Sequence, residues 1–306
     1  MTIWSIPELT SGLSGNGAWK KRWKGSDMGK FDGILLCTDC DGTLTHGDLE
    51  VCPEDVEAIR YFQKEGGLFT FATGRFPKHV RNFSHLFDLS VPAVMANGTT
   101  LYDASKDRVV GEVVLDPKPR QPLFYAKEQG LSHMIFIEHR TYSVIWTDLN
   151  DPNTQKELQK TLHVERLEEF FDDREPDRFP EPWHKTDLVF DTPEQNLEVQ
   201  KTLKERFPGW RYERSWPTGL EILPPEGGKG NGVKRLKKML GSKVRLTVCV
   251  GDFENDVSML KEADIGYAVG NADPVTKKAA DKITVDCLHG PMSHIIRDLE
   301  EAKYRV

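Results

Sequence analysis

Long apolar runs are missing from this 306-residue chain, and so is any excess of positive charge. No stretch approaches the roughly 20 apolar residues that span a bilayer, so no membrane association is expected. The opening MTIWSIPELTSGLSGNGAWKKRWKG lacks an apolar core of signal-peptide length, and its basic cluster follows the polar stretch instead of preceding it. A cytoplasmic location is the expectation. A net charge of -7 argues against a general nucleic-acid footprint. The one basic cluster, Lys20-Lys21-Arg22-Trp23-Lys24, is read as a solvated extension. Cysteine is sparse as well. The five, Cys37, Cys40, Cys52, Cys249 and Cys287, are odd in number and scattered, which does not describe a disulfide scaffold. Cys37 and Cys40 have CxxC spacing, yet no second pair completes a zinc site, and free thiols in a reducing compartment are expected.

What is present is a globular composition, 38% hydrophobic and 29% charged. From Phe31 short apolar strands alternate with helical segments: GILLCTD, PEDVEAIRYFQKEG, LFTFATG, PKHVRNFSHLFD, VPAVMANG. The grammar returns late in the chain with the helix NGVKRLKKML, the strand RLTVCVGD, the helix NDVSMLKEA, the strand IGYAVGN, the helix DPVTKKAA and the strand KITVD. Strongly apolar strands joined by helices predict an α/β unit whose parallel sheet is covered on both faces. Between the halves, SHMIFIEH, RTYSVIWT, KTDLVFD, the helix PEQNLEVQKTLKERF, and the pair GWRYERSW and GLEILPP describe an α+β insert. The division expected is an extension over 1–30, core over 31–115, insert over 116–218 and core again over 219–306.

Chemistry-bearing residues gather where core strands should end, which is where open parallel sheets bind ligands. Asp39 and Asp41 follow GILLCT, and if the extended backbone persists, residues two apart point the same way and the carboxylates converge. A divalent cation or a shared proton would relieve their repulsion. Thr73-Gly74-Arg75 offers a hydroxyl, an approachable amide and a guanidinium for an oxyanion. Lys229-Gly230, placed just before a helix, brings an ammonium, and Gly251-Asp252-Phe253-Glu254-Asn255-Asp256 brings a second pair of carboxylates. Asn97-Gly98 reads as a hairpin turn at the mouth of the site. Taken singly, Thr73, Arg75 and Lys229 are also ordinary strand-end or surface residues. His46, His79 and His139 have no ligand spacing and are read as structural or solvated.

In order and spacing, DCDGT at 39–43, ATGR at 72–75, ANG at 96–98, EILPPEGGKGNGV at 221–233, GDFENDVSML at 251–260 and AVGNA at 268–272 resemble the haloacid dehalogenase superfamily. The closest resemblance is to its Cof-type (type IIB) phosphatases. That resemblance implies a Rossmann-like core with a parallel sheet and an inserted α+β cap domain. It implies a Mg²⁺-dependent phosphatase acting on a small phosphorylated metabolite, a sugar phosphate first, as a monomer or weak homo-oligomer. By the same resemblance Asp39 is the nucleophile and Asp41 the general acid and base. Mg²⁺ is held by the Asp39 carboxylate, the Asp41 backbone carbonyl and Asp252. Thr73, Gly74, Arg75, Asn97, Lys229 and Asn255 bind substrate, and Asp256 orients Lys229 or a metal-bound water. A sugar phosphomutase of the same superfamily and a non-catalytic binding protein are the alternatives.

Overall fold

The computed structural model describes residues 29–47, 49–77, 83–132, 134–138, 143–146 and 182–302. The N-terminal basic cluster, the acidic run before residue 182, His79, His139 and part of the helix expected over PKHVRNFSHLFD lie outside the described residues. Among the described residues no helix is long and apolar enough to cross a membrane.

The central sheet has five parallel strands in the order Lys282–Ile283, Ile265–Ala268, Leu246–Gly251, Ile34–Thr38, Leu68–Phe71. Every residue of Ile34–Thr38 is buried, the pattern of a central strand covered on both faces. Two apolar clusters do the covering. On one face Leu36, Phe69, Phe71 and Val248 pack with Ile59 and Phe62 of helix Pro53–Lys64 and with Ile295 and Leu299 of helix Pro291–Glu301. On the other, Leu35, Cys37 and Cys249 pack with Val233 and Leu236 of helix Lys229–Leu240 and with Met259 and Leu260 of helix Val257–Glu262. Each fully buried Leu or Phe contributes about 1.5–3 kcal/mol by its removal from water, which holds the strand ends at a fixed depth.

VPAVMANG departs from the expected parallel sheet. Ala93–Met95 touches it through one bridge, Ala72 to Val94, and otherwise pairs antiparallel with Thr100–Asp103, which pairs with Arg108–Glu112. The Asn97-Gly98 turn signal explains this, because a tight turn returns the chain beside itself.

A second five-stranded sheet is antiparallel, in the order Arg211–Trp216, Gly219–Leu223, Lys185–Val189, Met134–Glu138, Ser143–Trp146. It runs to Leu223, past the division expected at 218, because Gly219–Leu223 is its paired inner strand. Three of its strands are two-faced. Leu188, Tyr212, Leu220 and Ile222 pack on helices Arg120–Glu128 and Pro193–Arg206 through Leu123, Val199 and Leu203. The alternate positions Lys185, Asp187, Glu213 and Glu221 take the opposite face, as a period of two requires.

The second sheet meets the central one beside the ends of the parallel strands. Gln200 Nε2 donates to Glu254 Oε1 at 2.9 Å and Arg214 to Glu254 Oε2 at 3.2 Å. Asn97 Nδ2 donates to Ser215 Oγ at 2.8 Å and also to Glu221.

Candidate active site

The strand Ile34–Thr38 delivers Asp39 to the C-terminal edge of the sheet, where its N–H still reaches Val250 O at 2.9 Å. The chain then turns, with the Leu44 and Thr45 N–H groups both donating to Cys40 O. Extended backbone therefore stops short of Asp41, and the two carboxylates take different cations instead of converging. Asp39 Oδ1 accepts from Lys229 Nζ at 2.7 Å. Asp41 accepts both arms of Arg75, at 2.6 and 2.7 Å.

Lys229 begins its helix instead of preceding it, with Gly228 at the N-cap. Its ammonium is buried between Asp39 and Asp256, the second contact being 2.5 Å. Burial pulls an ammonium pKa down, but the two carboxylates outweigh that and hold Lys229 above its ordinary value. Asp256 is held in turn: its Oδ2 accepts from the N–H groups of Asp252 and Phe253, at 2.9 and 3.2 Å. Gly251 makes this approach possible, since a Cβ there would lie 2.4 Å from Asp256 Cβ. Asp252 Oδ1 accepts from Thr43 Oγ1 at 3.0 Å.

Asp39, Asp252 and Asp256 present carboxylate oxygens within 4.8 Å of one another. Burial pushes the Asp39 carboxyl well above the usual range; Lys229 opposes this, while Asp256 and Asp252 reinforce it. Burial, reinforced by Asp256, pushes Asp252 up to about 7. Three carboxylates against one ammonium leave a surplus of negative charge, and hard oxygens around it suit a divalent cation.

The remaining expected residues line the same edge. Thr73 is fully buried, its Oγ1 accepting from the Arg75 N–H at 3.1 Å and its carbonyl from the Asn97 N–H at 2.9 Å. Gly74 lies beside the Asn97 side chain. Asn255 Nδ2 donates to Asn97 Oδ1 at 3.1 Å, so Asn97 ties the loop after Leu246–Gly251 to Ser215 and Glu221 of the antiparallel sheet. Arg75 is placed on Asp41. Sequence reasoning passed over Thr43, Glu254 and the charged face of the antiparallel sheet, although the alternation in KTDLV, RYERSW and GLEIL carried the last of these.

The C-terminal edge of a doubly covered parallel sheet thus carries an aspartate-lysine-aspartate bridge and a further carboxylate. The family model for haloacid dehalogenase-like hydrolases matches residues 36–290, and the chain belongs to that family. Among relatives, a putative phosphatase of Bacillus subtilis, YxeH, is 25% identical over 88% of this chain and 99% of its own. The pyridoxal phosphate phosphatase YbhA of Escherichia coli is 26% identical over 82% and 93%. The fold is that of the Cof-type, subclass IIB members. The subclass IIB sugar phosphatase BT4131 superposes with a TM-score of 0.72 at 21% identity, covering 87% of this chain and 98% of that one. A HAD/Cof-like hydrolase from Plasmodium vivax gives 0.73 at 21%, covering 89% and 97%.

Proposed function

We propose that the protein is a phosphoric monoester hydrolase that removes phosphate from a small metabolite, a sugar phosphate first, through an aspartyl-phosphate. The observation that carries this is the buried Lys229 bridge between Asp39 and Asp256, set beside Asp252 at the strand ends. Relatives named for pyridoxal phosphate and for 5-amino-6-(5-phospho-D-ribitylamino)uracil support a small phosphorylated substrate. Five free thiols fit a reducing cytoplasm.

In this reading an Asp39 carboxylate oxygen attacks phosphorus, and Asp41 gives its proton to the departing ester oxygen. Asp41 then takes a proton from water as that water attacks the same phosphorus, and the P–O bond to Asp39 breaks to release phosphate. Asp39, the Asp41 carbonyl and Asp252 would hold Mg²⁺, which when bound neutralises the nucleophile and the phosphoryl oxygens. Lys229, the Thr73 hydroxyl, the Gly74 amide and the Asn255 amide would bind the non-bridging oxygens. Asn97 would fix Asn255 in place. Arg75 would hold Asp41 oriented toward the departing ester oxygen. Residues about 116 to 223 would form the cap that covers the leaving group, its second sheet ending at Leu223.

The test is phosphate release from a panel of phosphorylated metabolites by the full-length protein with Mg²⁺. Turnover of at least one sugar phosphate, lost in Asp39→Asn, is expected; no release from any monoester overturns the reading.

A further inference from the structure

Three carboxylates stand abreast on the face of the antiparallel sheet that meets the catalytic edge. Glu213 lies directly opposite Glu221 on the neighbouring strand, and Glu221 directly opposite Asp187 on the next. Like charges so placed repel, and strands normally avoid the arrangement. Here two cations partition the row. Lys185 Nζ reaches Glu221 Oε1 at 2.8 Å and Asp187 Oδ2 at 3.1 Å, while Arg211 Nε reaches Glu213 Oε1 at 3.0 Å. Glu221 spends its other oxygen on Asn97. Glu213 does not: its Oε2 is buried and has no hydrogen-bond partner among the described residues.

The position of Glu213 gives that free oxygen a use. Gly228, the residue before Lys229, has φ +94, and a Cβ there would lie 2.9 Å from both Glu213 Oε1 and Arg211 Nη2. Glu213 thus stands over the turn that leads into the ammonium bridging Asp39 and Asp256. A buried carboxylate oxygen without a donor is costly, and a ligand that supplies one recovers that cost on binding. Nothing in phosphoryl transfer needs an acid there, because the phosphate is itself an acceptor. The alcohol half of an ester is the part that can carry donors.

Resting on the phosphatase reading above, we propose that Glu213 selects the leaving alcohol, its Oε2 accepting a hydrogen bond from a hydroxyl or amine of that alcohol. Arg211 fixes the carboxylate, and Glu221, held by Lys185 and Asn97, sets the position of the strand beside it. The preferred substrate is then a phosphate ester with a donor on its alcohol portion, and apolar alcohols are disfavoured.

The measurement is kcat/KM, with Mg²⁺, on a hexose 6-phosphate, its deoxy analogues, an amino-alcohol phosphate and phenyl phosphate, whose alcohol half has no donor. Wild-type enzyme should lose about 10–100-fold when one particular hydroxyl or amine is deleted from its preferred ester. The deletion that has this effect says which donor is read. Glu213→Gln should shrink the preference for that ester over phenyl phosphate by a similar factor, and Glu213→Asp, which keeps an acceptor, should restore part of it. A wild-type enzyme that treats every deoxy or deamino analogue alike overturns the proposal without any variant. So does a Glu213→Gln enzyme whose losses are equal on all esters, since that is the signature of a purely structural residue. An enzyme that hydrolyses none of these or other monoesters fails the phosphatase reading itself, and this inference with it.

Discussion

Arg75 holds Asp41 with both arms of its guanidinium, Nε donating to Oδ2 at 2.6 Å and Nη2 to Oδ1 at 2.7 Å. Asp41 is half exposed, so a pair of this kind contributes at most about 1 kcal/mol to stability. Its effect is on orientation. Lysine keeps the charge but cannot grip a carboxylate bidentately. We expect Arg75→Lys to melt within a few degrees of wild type and to lower kcat about tenfold through a misaimed proton donor. An unchanged kcat would show that Asp41 needs no such guide.

Asp39→Asn should abolish phosphate release while leaving the fold intact. The amide is no nucleophile, yet Lys229 keeps its 2.5 Å contact to Asp256 and is not stranded. Asp41→Asn, at the exposed position, should cost ~10²–10⁴ in rate. Turnover and far-ultraviolet circular dichroism measured on the same samples separate chemistry from folding; wild-type turnover in either variant removes that residue from its role.

Chelator-treated protein should release no phosphate, and Mg²⁺ should restore activity where Ca²⁺ does not, because the larger ion takes more oxygens in a looser shell. A second readout needs no substrate. Mg²⁺ that binds only the folded chain raises the melting temperature by mass action, and Asp252→Ala should remove that rise. Full activity without metal, or the same rise in Asp252→Ala, would overturn the metal assignment.

The core and the sheet edge that carries the candidate site were legible because their determinants are local. Apolar strands such as ILLCT and LTVCVG can only be buried, and a parallel sheet brings their C-terminal ends together whatever the connections do. The destination of each side chain was less legible. Asp39 and Asp41 looked convergent because strand periodicity was extended past Thr38, where the turn closing on Cys40 O cuts it off. Arg75 went to Asp41 and not to an open oxyanion site, a choice set by tertiary distance. Ala93–Met95 left the parallel ladder because the Asn97-Gly98 turn had a partner strand, Thr100–Asp103, too polar to stand out. Glu213, Glu221 and Asp187 became neighbours only through register between strands far apart in sequence, which alternation alone does not fix.

Lys185 Nζ bridges Asp187 Oδ2 at 3.1 Å and Glu221 Oε1 at 2.8 Å, and all three side chains are nearly fully buried. Removing one member of a buried ion cluster costs ~3–5 kcal/mol, because the others remain desolvated. Lys185→Met should lower the urea midpoint accordingly, and adding Glu221→Gln should recover part of the loss. A loss below about 1 kcal/mol in the single variant would mean that water or other groups already solvate these acids.

The pH dependence of folding should carry the mark of Asp55, which sits on helix Pro53–Lys64 outside the carboxylate cluster of the candidate site. It is fully buried; its Oδ1 accepts from the Ser293 N–H at 2.8 Å at the start of helix Pro291–Glu301, and its Oδ2 has no hydrogen-bond partner among the described residues. Burial raises its pKa from 3.8 to about 7, against the opposing pull of the Ser293 and Met292 N–H groups. The unfolded chain therefore releases this proton near pH 4, while the native protein keeps it until near neutrality. Between those values the native state binds more protons, so the stability owed to Asp55 is complete at low pH and is lost as pH rises through about 7. The slope can reach about 1.4 kcal/mol per pH unit. Other carboxylates titrate in the same window, so the informative quantity is a difference. Asparagine keeps an acceptor for Ser293 but cannot ionise. Urea unfolding of wild type and Asp55→Asn from pH 4 to 8 should show the wild type losing stability relative to the variant as pH rises, with the difference levelling off above 7. Parallel curves would mean that Asp55 is ionised in the native protein at every pH tested, with water reaching its second oxygen.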